Sequence, residues 1–445
     1  MSHAKALLIK ILTRSTFVTG LALGIVLIPN LAIFDEALAP EISQLLSNPA
    51  NPDIPGNAAP DAYGLAAESS RDIKQVGEKF IAALRDKRAQ GKSASLSEQE
   101  IKDFLGGSDF DKTWQALYPA AKCVPREYDN CFENLLADIN VTPITNERLH
   151  SQIERYRLII QQSHYIEDIR SMDSASPLPS YGPMLQLGKI INADAYLTKG
   201  IDGLIETARA DLKFWRIVLG ESQTILGKMI ALNALRGDLQ ALSYAISQQP
   251  ALSDKQRQEL QNLLLPLGRE EIAIDEALLT EFRMMVENRQ TFFLFFSATP
   301  GNESWFLNLL VQPTASVNRY FKYAYQPSYN FSKLTAPEFY MRAQAPIRPV
   351  EFSRFNPYNL GGKIKLSQPW QIADYIGRAH DLAGIYSLVS LQLELTAAAQ
   401  QDISERIASS SYKNPYSEKS FDYDAKTNTL SFRCFDVKDT CKIRL

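Results

Sequence analysis

A chain of 445 residues, 45% of them hydrophobic, suffices for one large or two ordinary domains, and that apolar content excludes wholesale disorder. The net charge of -3 is spread along the chain, so no broad basic footprint argues for nucleic acid.

At the N-terminus, Lys5, Lys10 and Arg14 precede an uncharged run from Ser15 to Phe34, which Asp35 and Glu36 close. About twenty residues at 1.5 Å each match a hydrocarbon core of roughly 30 Å. Positive charge ahead of such a run holds residues 1–14 in the cytoplasm and sends the remainder across. The expectation is a transmembrane anchor over 15–34, single-pass in a bacterial inner membrane, with the bulk of the chain in the periplasm. Ala37-Leu38-Ala39 resembles a signal-peptide cleavage site, but Pro40 follows it and the apolar run exceeds a signal core, which favours an uncleaved anchor.

Residues 35–62 are rich in proline and asparagine and predict an extended linker. A helical body is expected over 63–410. Ile73, Val76, Phe80, Ile81 and Leu84 recur at helical spacing. Ser97 and Glu100 form a capping-box pattern closed by Gly106-Gly107, and a helix is expected near residues 146–169. Between residues 184 and 247 the apolar period is clearest, with breaks near Lys199-Gly200 and at Gly220. One stripe holds Leu204, Ile205, Ala208, Leu212, Trp215, Val218 and Leu219; the next holds Ile225, Met229, Leu232, Leu235, Leu239, Leu242 and Ile246. Such spacing with short connections predicts packed antiparallel hairpins, arranged as a bundle or an irregular solenoid. Further helical pairs follow to residue 287, then a stretch rich in proline and aromatics, then a last long helix from about residue 370. The tail, 411–445, switches to period two: "SFDYD", a turn at "AKTN", "TLSFRCF" and "CKIRL" predict a small antiparallel meander.

The four cysteines fall in two close pairs, Cys123 with Cys131 and Cys434 with Cys441. In an oxidising compartment they predict two local disulfides. A four-cysteine zinc site normally spaces paired ligands more tightly, so no metal site is expected.

The segment that most resembles an active site is "GNESWFLNLLVQPTA". Glu303-Ser304 and the run from Gln312 to Ala315 resemble pieces of lytic transglycosylases, which cleave peptidoglycan glycan strands. That resemblance implies Glu303 as a general acid, since a carboxyl in an apolar pocket can protonate a glycosidic oxygen. The family's intervening glycine motif is missing, and the packing alternative has Trp305, Phe306, Leu309 and Leu310 on a buried helical face with Glu303 at its start. G-x-S-x-G and H-E-x-x-H are absent. Ser410 and Lys413 match S-x-x-K without its companion motifs. His150, His164 and His380 are read as surface or packed residues. Glu270, Glu271, Asp275, Glu276 and Glu281 are read as a solvated acidic face, and the "TFFLFF" run at 291–296 as a buried helix end. No cofactor is implied.

"NAAPDAYGLAA", "ILGKMIALNAL", "LLVQPTASVNRYF", "NPYNLGGKI" and "NPYSEKSFDYDAKTNTLSF" resemble recurring segments of an uncharacterised family of bacterial membrane-anchored, mainly helical periplasmic proteins. The resemblance implies that architecture and no reaction. The expectation is a mainly α protein: a membrane-tethered, non-enzymatic scaffold or accessory of an envelope process. Its aromatic stretch 313–350 would offer a surface to an envelope protein partner. The alternative is a peptidoglycan-cleaving glycosidase using Glu303.

Overall fold

Helical spacing between residues 184 and 247 becomes two long helices, Tyr181–Glu221 and Ile225–Ser247. The computed structural model describes residues 18–21, 24–47, 50–106, 116–124, 130–173, 175–249, 251–288, 310–344, 358–359, 372–396, 402–435 and 440–445. Contacts divide the chain into two units: residues 50–280, 331–344 and 372–445 form the larger, and residues 1–49, 281–330 and 345–371 the smaller.

The larger unit contains α1 (Ala59–Gly64), α2 (Ile73–Ala89), α3 (Glu98–Leu105), α4 (Cys131–Val141), α5 (Glu147–Ile160), α6 (Tyr181–Glu221), α7 (Ile225–Ser247), α8 (Asp254–Leu263), α9 (Ala336–Ala343) and α10 (Ile372–Leu395). Strands β1 (Asp422–Asp424), β2 (Thr429–Arg433) and β3 (Thr440–Arg444) follow. Asp72 starts α2 by accepting the Gln75 N–H at 2.9 Å. Its apolar side, Tyr63 of α1 included, encloses a small core with Leu84 and Ala94. The capping box of α3 forms as expected, with Ser97 and Glu100 reciprocally bonded and Gly106 in the left-handed region at φ 97°.

Two expectations are corrected here. The linker does not run to residue 62, because residues 57–59 and 61–64 are buried and α1 begins at Ala59. Asn57 is the cause. Its amide donates to the Pro52 and Ile166 carbonyls at 2.8 Å each, and its oxygen accepts from the Ile166 and Ala59 N–H groups. The helix expected to reach residue 169 ends at Ile160 for the same reason. Beyond it, Ser163 and His164 donate to the Gly56 carbonyl and the His164 carbonyl accepts from Ala58, so this stretch pairs with the former linker.

α6 carries the expected break: Gly200 sits at φ 63°, ψ -148°, within an otherwise helical run. Every residue of the stripe from Leu204 to Leu219 is buried. At about 1.5–3 kcal/mol per large apolar side chain, that seam dominates local stability. Thr224 caps α7, whose stripe is buried except for half-buried Met229. α7 contacts both α6 and α10, and α10 also contacts β2 and β3. The tail forms the expected meander, ordered β1-β2-β3 and antiparallel throughout. Phe432 pairs with Cys441, and the Cys434–Cys441 disulfide closes the β2–β3 hairpin. Cys123 and Cys131 form the second local bridge.

The aromatic stretch is helical over 313–332, and its residues up to 330 belong to the smaller unit. Helix Pro313–Tyr320 leads into a π-helical turn, Phe321–Tyr325, and on into Gln326–Ser332. Phe282 stacks on Tyr325 and Tyr320, with ring centroids 4.7 and 6.1 Å away. The helix start is capped from afar: the Asp35 carboxylate accepts the Thr314 and Ala315 N–H groups at 2.9 and 3.0 Å. Gln312 donates to the Pro29 and Leu31 carbonyls, and Asn318 bonds to Glu36, Ala37 and Ala39. Among the described residues no helix is long and apolar enough to cross a membrane. Residues 1–17, 22 and 23, part of the expected anchor among them, lie outside the described residues, and its outer end forms two 3-10 turns, Ile28–Asn30 and Ala32–Phe34.

Candidate functional site

A cleft of about 470 Å³ opens in the larger unit among α4, α7, α10 and the β2–β3 hairpin. That volume suits a small ligand or a few residues of peptide. The helical period builds one wall: Arg236, Gln240, Ser243, Tyr244, Ser247 and Gln248 fall three and four apart, on the face of α7 away from its core stripe. Leu239, Ile385, Val389 and Ile443 make an apolar floor, and Thr429, Lys442 and Arg444 stand on the sheet side. Among the described lining residues Arg236, Lys442 and Arg444 are cationic and Glu133 is acidic.

Both disulfides brace this lining. Cys131 opens α4, so its bond to Cys123 holds Phe132 and Glu133 in place. Phe132 meets Tyr244 and Tyr196 edge-on at 5.6 and 5.9 Å. Cys441 lies next to Lys442 on β3, and its bond to Cys434 ties that strand to β2.

The other concentration of chemistry is buried. Asp211 of α6 and Asp238 of α7 are both buried in the core, where each carboxyl influences the other. Burial raises both carboxyls, and Asp238 goes well above its ordinary range because the Asp211 charge beside it adds to the desolvation. The Tyr156 hydroxyl donates to Asp211, Trp215 Nε1 donates to Tyr156 at 3.0 Å, and Asn192 donates to Asp238 at 2.9 Å. Gly188 makes room, since a Cβ there would lie 2.6 Å from Asp211 Oδ2.

Glu167 forms a second buried knot. Its carboxylate accepts from the Tyr181, Ser222 and Thr224 hydroxyls and the Gln223 N–H at 2.7–3.1 Å. These donors tie the α6–α7 turn to the preceding loop. None of Glu167, Asp211 and Asp238 lines the cleft. Glu167 joins the loop before α6 to the α6–α7 turn, and Asp211 ties α6 to Tyr156 of α5.

Among the described residues, those singled out from sequence do not converge. Glu303, Ser304 and the 291–296 run lie outside the described residues. Gln312, Thr314 and Ala315 bind the chain's own residues 29–35. The solvated acidic face is corrected for two members. Glu271 is paired with Arg216 at 2.6 Å and closes its own helix start, and Asp275 is bonded to Lys333 and Ser332. Ser410 donates to Glu394 and Lys413 to the Ala408 carbonyl, so the two do not act together. His150 is exposed, His164 bonds to Glu221 at 3.0 Å, and His380 is buried, as surface and packed residues would be. Asp381 lies within 4.8 Å of the Cys434 and Cys441 sulfurs, but these are bonded to each other and Asp381 accepts from Tyr416 and Phe435.

Sequence reasoning missed the cleft, although the polar stripe from Arg236 to Gln248 was readable as the far side of the α7 core stripe. No known protein family, curated protein or solved structure matches the chain.

Proposed function

We propose that the chain is a non-enzymatic, membrane-tethered accessory protein of the bacterial envelope, whose periplasmic body binds a ligand in the cleft among α4, α7, α10 and β2–β3. The cleft carries the reading: an apolar floor, a polar helical wall and, among the described lining residues, Arg444 with Arg236 and Lys442 suit an apolar ligand bearing an acidic group. The anchor over 15–34 is supported by the run's composition and by the exposure of its large apolar residues. Val18, Leu21, Ile25, Ile28, Leu31 and Ile33 are all more than half exposed, a surface that lipid would cover. The paired cysteines suit an oxidising periplasm.

Thermal shift of the detergent-solubilised full chain against muropeptides, short acidic peptides and their amidated forms tests the binding reading. A melting-point rise with an acidic member, lost in Arg444→Glu combined with Tyr244→Ala, is expected. Muropeptide release that vanishes in Glu303→Gln would instead make the protein a glycosidase and overturn the proposal. A periplasm-dependent reporter fused after Leu445 checks export, and activity of a cytosol-dependent reporter there would refute it.

A further inference from the structure

We infer that the helical stretch 313–332 lies along the membrane surface and seats Lys322 and Tyr323 among anionic phospholipid headgroups; this rests on the anchor proposed above. The first observation is where that stretch begins. Gln312 donates to the carbonyls of Pro29 and Leu31, inside the apolar run, and Asp35, the first residue after it, caps the helix. If 15–34 crosses the bilayer, the helix therefore starts at the boundary itself, within an interfacial layer about 5–8 Å deep.

The second observation is what the helix exposes. Its packed side turns Tyr325 against Phe282, while Tyr323 is 43% exposed and Tyr329 36%. The Arg319 guanidinium and the Lys322 ammonium each sit over the Tyr323 ring, 5.3 Å from its centroid. An aromatic ring flanked by cations suits the headgroup layer, where the ring meets the acyl boundary and the cations meet phosphate. The π-turn at 321–325 falls on this face, where Lys322 and Tyr323 are both exposed. Lipid is thus the occupant that the apolar run delivers to this face.

The test places the full chain in nanodiscs with a fluorophore on Tyr323→Cys, added under non-reducing conditions so that the native disulfides stay closed, and uses a nitroxide on lipid headgroups as quencher. Strong quenching is expected in discs containing phosphatidylglycerol, with at least a two-fold smaller effect in pure phosphatidylcholine and after adding Lys322→Glu. A second labelled variant, Ile25→Cys, read with a nitroxide deep in the acyl chains, reports the anchor. Quenching at Ile25 with none at Tyr323 overturns the surface seat and leaves the anchor intact. Silence at both positions overturns the anchor as well, and quenching at Tyr323 that ignores lipid charge and Lys322→Glu overturns the headgroup assignment.

Discussion

Replacing His380 with phenylalanine should change how the protein responds to acid. The imidazole is 7% exposed, lies 5.2 Å from the Phe339 ring and 6.4 Å from Tyr416, and its Nε2 finds no hydrogen-bond partner among the described residues. Burial lowers its pKa from 6.5 to about 4. Between those values the unfolded chain takes up a proton that the folded chain refuses, so stability falls as pH drops through that window. At 1.36 kcal/mol per pKa unit the loss is about 2 kcal/mol by pH 5 and about 3 kcal/mol by pH 4, relative to neutrality. Phenylalanine keeps a ring among its aromatic neighbours and cannot titrate. Denaturant unfolding of wild type and His380→Phe, followed by circular dichroism, should give curves that diverge by about 2 kcal/mol in favour of the variant between pH 7.5 and pH 5. The comparison cancels carboxylates common to both proteins. Parallel stability–pH profiles would refute the neutral, buried histidine.

Asp238→Asn replaces the buried carboxyl with a group that does not titrate; because burial raises the wild-type carboxyl well above its ordinary range, the wild type should lose melting temperature relative to the variant as pH rises above that ordinary range, and parallel melting profiles across pH would exclude the raised carboxyl. Gly188→Ala forces a methyl against Asp211 and Tyr156 and should cost about 1–3 kcal/mol in denaturant unfolding, with an unchanged midpoint counting against the tight fit. Arg155 sends its guanidinium to the Leu65, Ala67, Glu68 and Arg71 carbonyls, so Arg155→Met should destabilise by about 2–4 kcal/mol and raise hydrogen exchange across residues 65–71 first. Cys434→Ser with Cys441→Ser should lower stability by about 2.5 kcal/mol on loop entropy and should weaken any cleft ligand, whereas retained affinity would show that the bridge does not shape the cleft.

Local chemistry was the legible part of this fold. Ser97 and Glu100, Gly200, and the alternation from Phe421 to Leu445 act through neighbours within a few residues, so their consequences could be read in place. Contacts between distant segments could not. Asn57 has the composition of a linker residue, yet its partner Ile166 lies 109 positions away, and proline there serves the extended approach to α1. The stretch rich in tyrosine and proline showed no clear apolar period between 313 and 343, yet it is helical there because Pro313 and Pro337 occupy first turns, where proline costs a helix nothing. Asp211 and Asp238 each sit inside an apolar stripe, a conflict of pattern that signals a buried polar contact without naming the partner. The cleft needs α4, α7, α10 and the tail at once, which no single window of sequence contains.

The Asp35 cap also imposes an order on biosynthesis. Asp35 and the helix start it satisfies are 279 residues apart, so the early carboxylate emerges long before the N–H donors it accepts from exist. At about 5–20 residues per second, the wait is on the order of 15 to 60 s, during which residues 29–39 need shelter from competing partners. A fragment begun after residue 40 would never receive that cap, and its helix at 313–320 would start with open N–H groups.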